Sequence, residues 1–222
     1  ILFSSLIFIC CVALYFCNMS SIKNIVFDLG GVLIDIDVAK TNDAFAALGI
    51  HQFQQYYSLS MASPLFEALE TGAIEAAAFY DSLRSITNTN IDDAQLQHAW
   101  NALLLNWRRH SVRHLQTLAK NYKLYLFSNT NKIHHDAFLS YFTAQTGLAL
   151  FDDLFTSVWY SFDRKIRKPY ASSFELLLQT EQLRPGETLF IDDTLVNIEG
   201  AKKVGMRTHH LLSDEKIEDL NF

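Results

Sequence analysis

Ile25-Val26-Phe27-Asp28-Leu29-Gly30-Gly31-Val32-Leu33 is the stretch whose reading decides the fold. The largely apolar run over residues 22–27 predicts a buried parallel strand, because a strand covered on both faces shows no polar alternation. It runs straight into Asp28 and then into two glycines. In open α/β sheets, ligands bind beyond the carboxyl ends of the strands, and Asp28 falls at such an end. The glycines let the following backbone turn sharply and come close to a bound group.

The 222 residues are half hydrophobic and carry a formal net charge of −6. That is one domain of ordinary size, or a domain with an insertion, with enough chain to bury a sizeable core. No basic stripe accompanies the mild acidity, which argues against nucleic acid as a partner. Residues 1–17 form an uncharged apolar run holding all three cysteines, Cys10, Cys11 and Cys17, and the first charge is Lys23. Its length suits a membrane anchor or a secretory segment, but it has no positive start and no small-residue cleavage site. Met19 stands just before Ser20-Ser21 and the first strand. The expectation is therefore a domain that starts at Met19, a leader over 1–18 outside it, and a cytoplasmic protein. Anchoring through residues 1–17 is the alternative. Without the leader there is no cysteine, and disulfide or zinc-thiolate chemistry is not expected.

Residues 38–48, 64–69, 74–86, 92–106 and 111–120 carry apolar residues at three- and four-residue spacings and predict helices with no strand among them. Asp92 is placed to cap one of them. Strands at 123–127, 156–160, 188–191 and 208–212 then alternate with helices at 171–180 and 195–204. That alternation predicts an α/β fold: a Rossmann-like parallel sheet with helices on both faces. The helical block predicts an inserted cap over 38–109, the core being 19–37 and 110–222. Trp100 and Trp107 are read as cap core on one helix.

Three further signals fall at strand ends. The strand Leu124-Tyr125-Leu126-Phe127 ends in Ser128-Asn129-Thr130, which puts a hydroxyl where the first strand puts a carboxylate. Arg167-Lys168-Pro169 holds an ammonium at a helix start, and Leu189-Phe190-Ile191 ends in Asp192-Asp193. Taken singly, each is an ordinary turn or helix cap. Together they supply a nucleophile, an anion site and a hard-cation site. Asp28, Asp193 and the backbone carbonyl of Gly30 offer the oxygen ligands that Mg²⁺ prefers. Lys168 and Ser128 can neutralise or hydrogen-bond phosphate oxygens, and Asp28 can attack phosphorus. Asn129 and Arg167, beside the hydroxyl and the lysine, are assigned to substrate binding. The eight histidines show no metal-type spacing and are read as surface or satisfied core.

The four motifs, in this order and over Met19 to Leu212, resemble those of the haloacid dehalogenase-like hydrolases. The stretches at 27–37, 128–131 and 192–206 are most similar to the branch of bacterial α-glucose-1-phosphatase. The resemblance implies a C1-type cap, Asp28 as nucleophile, Ser128 and Lys168 as the second- and third-motif residues, and Mg²⁺ held directly by Asp193 and through water by Asp192. It implies a phosphatase of a small phosphorylated metabolite, a sugar phosphate in the first instance, that works through an aspartyl-phosphate.

One position departs from the family pattern. Most of its phosphatases carry a second aspartate two residues after the nucleophile, as proton donor and acceptor, and here that position is Gly30. The gap predicts a preference for leaving groups that need little protonation, such as the anomeric oxygen of a sugar 1-phosphate. Asp35 and Asp37 are candidate substitutes; a solvated turn or a helix cap is the commoner role for such residues. Two other readings stand beside the phosphatase: carbon–halogen hydrolysis, and an idle relative that binds phosphate and metal. Gly30 and the Asp192-Asp193 pair argue against the first.

Overall fold

The computed structural model describes residues 21–57 and 63–221. The expectations about residues 1–18 lie outside them. Among the described residues no helix is long and apolar enough to cross a membrane.

β1 (Asn24–Phe27) leads through Asp28 and a tight turn into β2 (Ile34–Ile36). Four helices follow: α1 (Val38–Ala47), α2 (Pro64–Glu70), α3 (Ala76–Thr87) and α4 (Asp93–Asn101). β3 (Leu104–Trp107) and α5 (Arg109–Leu118) bring the chain back to the sheet. Next come β4 (Lys123–Ser128), α6 (Lys132–Ser140), α7 (Phe142–Thr146) and β5 (Ser157–Tyr160). α8 (Ser161–Arg164), α9 (Ala171–Thr180), β6 (Thr188–Asp192), α10 (Leu195–Lys203) and β7 (Arg207–His210) complete the chain's main elements.

The five long-range strands pair in parallel in the order β5-β4-β1-β6-β7. Ile25, Phe27, Leu124, Leu126 and Ile191 face one side, against Val112 and Leu115 of α5, Phe138 of α6 and Phe142 of α7. Val26, Tyr125, Phe127 and Phe190 face the other, against Phe174 and Leu177 of α9 and Ile198 and Ala201 of α10. The expected sheet with helices on both faces is therefore present, and double coverage explains the unbroken apolar runs. Ile25, Val26 and Phe27 are 0% exposed. Each such side chain is worth roughly 1.5–3 kcal/mol, so Asp28 leaves a rigid support.

The inserted helices gather a second core around Phe45, Phe53, Tyr57, Phe66, Phe79 and Trp100. Phe45 and Phe53 stack at 3.8 Å, and Trp100 meets Tyr57 edge-on at 4.8 Å. Asp92 caps α4 as expected, its carboxylate accepting from Gln95 N at 2.8 Å. The stretch 92–106 is not one helix. It ends at Asn101, and β3 pairs antiparallel with β2 as a separate ribbon. Neither strand was legible: β2 offers three residues, too few to establish a period of two, and the leucines of β3 continue the helical spacing of α4. Trp107 accordingly lies outside that second core. It packs in the sheet's core against Phe138, Phe142 and Phe151, and its indole N–H donates to Phe138 O at 3.1 Å. A cap spanning 38–109 remains our reading of these clusters, with β3 as the ribbon that ties it to the core.

Candidate active site

Asp28 follows β1, and its backbone N–H still donates to Ile191 O of β6 at 2.9 Å, so the sheet ladder itself aims the residue. Beyond it Gly31 takes φ +69°, and a Cβ there would lie 2.0 Å from Asp193 Oδ2. Only glycine lets the loop close down on that carboxylate.

Lys168 reaches the same point from the loop ahead of α9. Its ammonium donates to Asp28 Oδ1 at 2.7 Å and to Asp192 Oδ2 at 2.6 Å. It also lies over the rings of Phe127 and Phe190, 5.6 and 5.3 Å from their centroids. The loop that carries it is wedged against α10, where a Cβ on Gly200 would meet Pro169 O at 2.4 Å. Asn129 holds that loop from β4: its Oδ1 accepts from Lys168 N and its Nδ2 donates to Lys168 O, both at 2.9 Å.

The acid pair divides its labour. Asp192 is 0% exposed and takes hydrogen bonds from Lys168 Nζ, from Thr194 N at 2.7 Å and from Asn197 Nδ2 at 3.0 Å. Asp193, half-buried, accepts from Thr194 Oγ1 at 3.1 Å, and a direct cation ligand needs that kind of access. Asp28, Asp192 and Asp193 offer carboxylate oxygens within 4.8 Å of one another. Burial, then the charge of Asp192, pushes the Asp28 carboxyl up to about 7 even though Lys168 pulls it down. One ammonium does not balance three crowded carboxylates, so a hard divalent cation suits the cluster.

A cavity of 80 Å³ opens between core and cap, lined by Gly30, Ser128 and Asn129 from the core side and by Tyr57 and Glu70 from the cap. Arg167 is 4% exposed, and its guanidinium points to the cap, with Nη2 3.0 Å and Nε 3.1 Å from Glu70 Oε2. The two residues assigned to substrate binding thus have other partners here: Asn129 positions Lys168, and Arg167 joins core to cap. Tyr170 Oη to Glu67 at 3.2 Å and Lys165 Nζ to Gly72 O at 2.6 Å add to that joint. Asp35 and Asp37 are also spent, Asp37 as the helix cap that the commoner reading had and Asp35 in an ion pair made from β2. Asp35 pairs with Arg108 Nε at 2.6 Å, and Asp37 caps α1 through Ala39 N at 3.0 Å.

Glu70 is a lining residue the sequence did not single out; nothing in its spacing marks it, since it reaches the cavity only when the cap folds over the sheet. His134, read with the other histidines as surface or satisfied core, lines the same cavity and is buried. His134 stacks on Trp100 at 4.6 Å. Its Nε2 lies 3.1 Å from Trp100 O, which can only accept, so Nε2 carries the proton and Nδ1 accepts from Asn131 Nδ2 at 3.1 Å. Burial lowers its pKa from 6.5 to about 4. Because the folded-state value lies below the unfolded one, unfolded chain takes up the proton first as the pH falls. His134 should therefore withdraw about 3 kcal/mol of stability between pH 6.5 and pH 4. The raised carboxyls of Asp28 and Glu70 act in the opposite sense, so the measurement is a difference. The melting temperature gap between wild type and His134→Gln should narrow across that window, and a gap that is flat with pH contradicts the buried neutral imidazole.

A model of the haloacid dehalogenase-like hydrolase family matches residues 22–205. A D-ribitol-5-phosphate phosphatase of Bacteroides thetaiotaomicron is 30% identical over 187 residues, 84% of this chain and 90% of that protein. A HAD family enzyme from the same organism, solved with magnesium and inorganic phosphate, superposes with a TM-score of 0.82 at 30% identity, covering 91% of this chain and all of that one. A predicted HAD-like family hydrolase of Porphyromonas gingivalis has a TM-score of 0.79 at 29% identity, over 87% of this chain and 93% of that one.

Proposed function

This chain belongs to the haloacid dehalogenase-like hydrolases, and from that premise we propose that it is a Mg²⁺-dependent phosphatase of a small sugar or polyol phosphate, working through an aspartyl-phosphate on Asp28. The observation that carries the reading is the Asp28–Lys168–Asp192 chain of contacts at the carboxyl ends of β1 and β6, with Asp193 beside it. The named activity of the curated relative and the magnesium and phosphate in the structural neighbour support it. The relative's substrate differs from the glucose 1-phosphate that the motif resemblance suggested, so the sugar or polyol class is as fine as the reading goes.

Asp28 attacks phosphorus with one carboxylate oxygen while the bond to the leaving oxygen breaks, and water then attacks phosphorus and frees the carboxylate. Lys168 fixes Asp28 in place and puts a positive charge where the phosphoryl oxygens gather charge. Ser128, 2% exposed at the end of β4, offers a hydroxyl to the same oxygens. Asp28, Asp193 and the Gly30 carbonyl would hold Mg²⁺, with Asp192 acting through water; bound there, the ion supplies charge neutralisation for the phosphate.

The test is phosphate release from a panel of sugar and polyol phosphates with and without Mg²⁺. Metal-independent activity on a 2-haloacid would favour the dehalogenase reading instead. Asp193→Ala should weaken Mg²⁺ binding by about 100-fold or more, since even outer-sphere partners of a metal cost 10–100-fold when removed. Titration calorimetry checks this, and an unchanged dissociation constant would show that Asp193 is not the direct ligand.

A further inference from the structure

We propose that Glu70, supplied by the cap, is the proton donor and acceptor that Gly30 cannot provide. The assignment rests on the phosphatase reading above and adds to it a named residue for the leaving group. Gly30 leaves no carboxyl two residues beyond Asp28, and the methyl of Ile36 stands where one would go, 3.1 Å from a Cβ built on Gly30. Asp35 and Asp37 are held by Arg108 and by the start of α1. Of the described residues that line the cavity beside Gly30 and Ser128, Glu70 alone carries a carboxyl.

The other titratable groups facing that space cannot cycle a proton. Both nitrogens of His134 are committed, to Trp100 O and to Asn131. Burial and the nearby Glu70 carboxylate push the Tyr57 hydroxyl well above its ordinary range, so it stays protonated. Glu70 is 6% exposed and held from the core, where Arg167 Nε and Nη2 both bind Oε2 while Nη1 lies 3.9 Å from Glu67 Oε2. Burial raises the Glu70 carboxyl to about 7, with Arg167 and Lys168 pulling it down and Glu67 pushing it up. A group poised near neutrality can give a proton and take one back within a cycle.

The balance is as follows. As Asp28 bonds to phosphorus, the phosphorus–oxygen bond of the ester breaks, its electron pair goes to the alcohol oxygen, and Glu70 protonates that oxygen. Water then bonds to phosphorus, gives one proton to the Glu70 carboxylate, and the bond between phosphorus and Asp28 breaks. Ester and water have become alcohol and phosphate, and Glu70 is again protonated.

The experiment measures kcat/KM with Mg²⁺ on phosphate monoesters of aliphatic alcohols and of nitrophenols. A proton-donating Glu70 makes the wild-type rate nearly independent of leaving-group acidity. Glu70→Gln should lose about 100-fold or more on the alkyl esters. On nitrophenyl phosphate it should release one equivalent of nitrophenol in a burst and then turn over slowly, because phosphoryl transfer to Asp28 no longer needs the proton but water attack does. A purely structural joint with Arg167 would instead slow alkyl and aryl esters equally, and that result overturns the proposal. Should Glu70→Gln fail to fold, the wild-type series decides alone: a flat dependence supports Glu70, and a steep one overturns it. A wild type inactive on every ester with Mg²⁺ overturns the phosphatase reading and this assignment together.

Discussion

Asp28→Asn should fold as well as the wild type and lose at least about 10⁴-fold in kcat, the scale on which removal of a covalent nucleophile is felt. Two independent features of the structure make both halves of this expectation. The residue is positioned by its backbone, since Asp28 N donates to Ile191 O and β1 is paired on both sides, and none of that involves the side chain. The carboxylate, by contrast, is 8% exposed among Asp192, Asp193 and Lys168, and burial together with Asp192 raises its pKa to about 7. An isosteric amide removes a charge from a cluster with more anions than cations and leaves Lys168 its bond to Asp192. The melting temperature should thus be unchanged or higher while turnover disappears, because an amide cannot form the phosphoryl linkage. Phosphate release and thermal unfolding on one preparation check it. Activity above trace deamidation would remove Asp28 from the role of nucleophile.

The parts of this fold that were legible in the sequence are those with a local signature. β1, β4 and β6 were readable because each is a short apolar run that stops at a polar residue, and Asp28, Ser128 and Asp192 are those residues. Asp92 was readable as a cap because capping is a three-residue affair. The β2–β3 ribbon was not, because antiparallel pairing of Ile34 with Trp107 joins residues far apart in the chain, each in a strand too short to set its own period. The same limit hid Glu70. On α2 it looks like one more polar residue beside Glu67, and only the folded cap brings it against Arg167. Gly30 could be seen as a gap in the chemistry, but the loop acids Asp35 and Asp37 were the only substitutes within sight along the chain. The expectation that sugar 1-phosphates are preferred rested on no acid being at hand. A buried carboxyl on the facing side of the cavity removes that premise.

Lys168→Ala should do damage of two separable kinds. Lys168 is 1% exposed, and its ammonium bridges Asp28 and Asp192 between two aromatic faces. Burial alone would push the ammonium down, yet Asp192 and Asp28 more than reverse that, so the group stays charged. Its removal leaves Asp192, 0% exposed, with Thr194 N and the Asn197 amide as its donors among the described residues. Taking one partner out of a buried ion pair typically costs about 3–5 kcal/mol, more than the pair itself contributes, because an uncompensated charge stays behind. Mg²⁺ added to the variant should restore part of that loss, since a ligand that binds only the folded chain shifts the unfolding equilibrium toward it. The rate should not return with it. A fixed cation aimed at developing charge is worth about 10²–10³ in kcat, and a metal held by Asp28 and Asp193 would not restore the ammonium that Lys168 supplies. Denaturant unfolding with and without Mg²⁺, beside kcat at saturating Mg²⁺, separates the two effects. A variant as stable as wild type, or one whose rate Mg²⁺ restores in full, would mean that Lys168 is neither the counter-charge of the acid cluster nor the cation of the reaction.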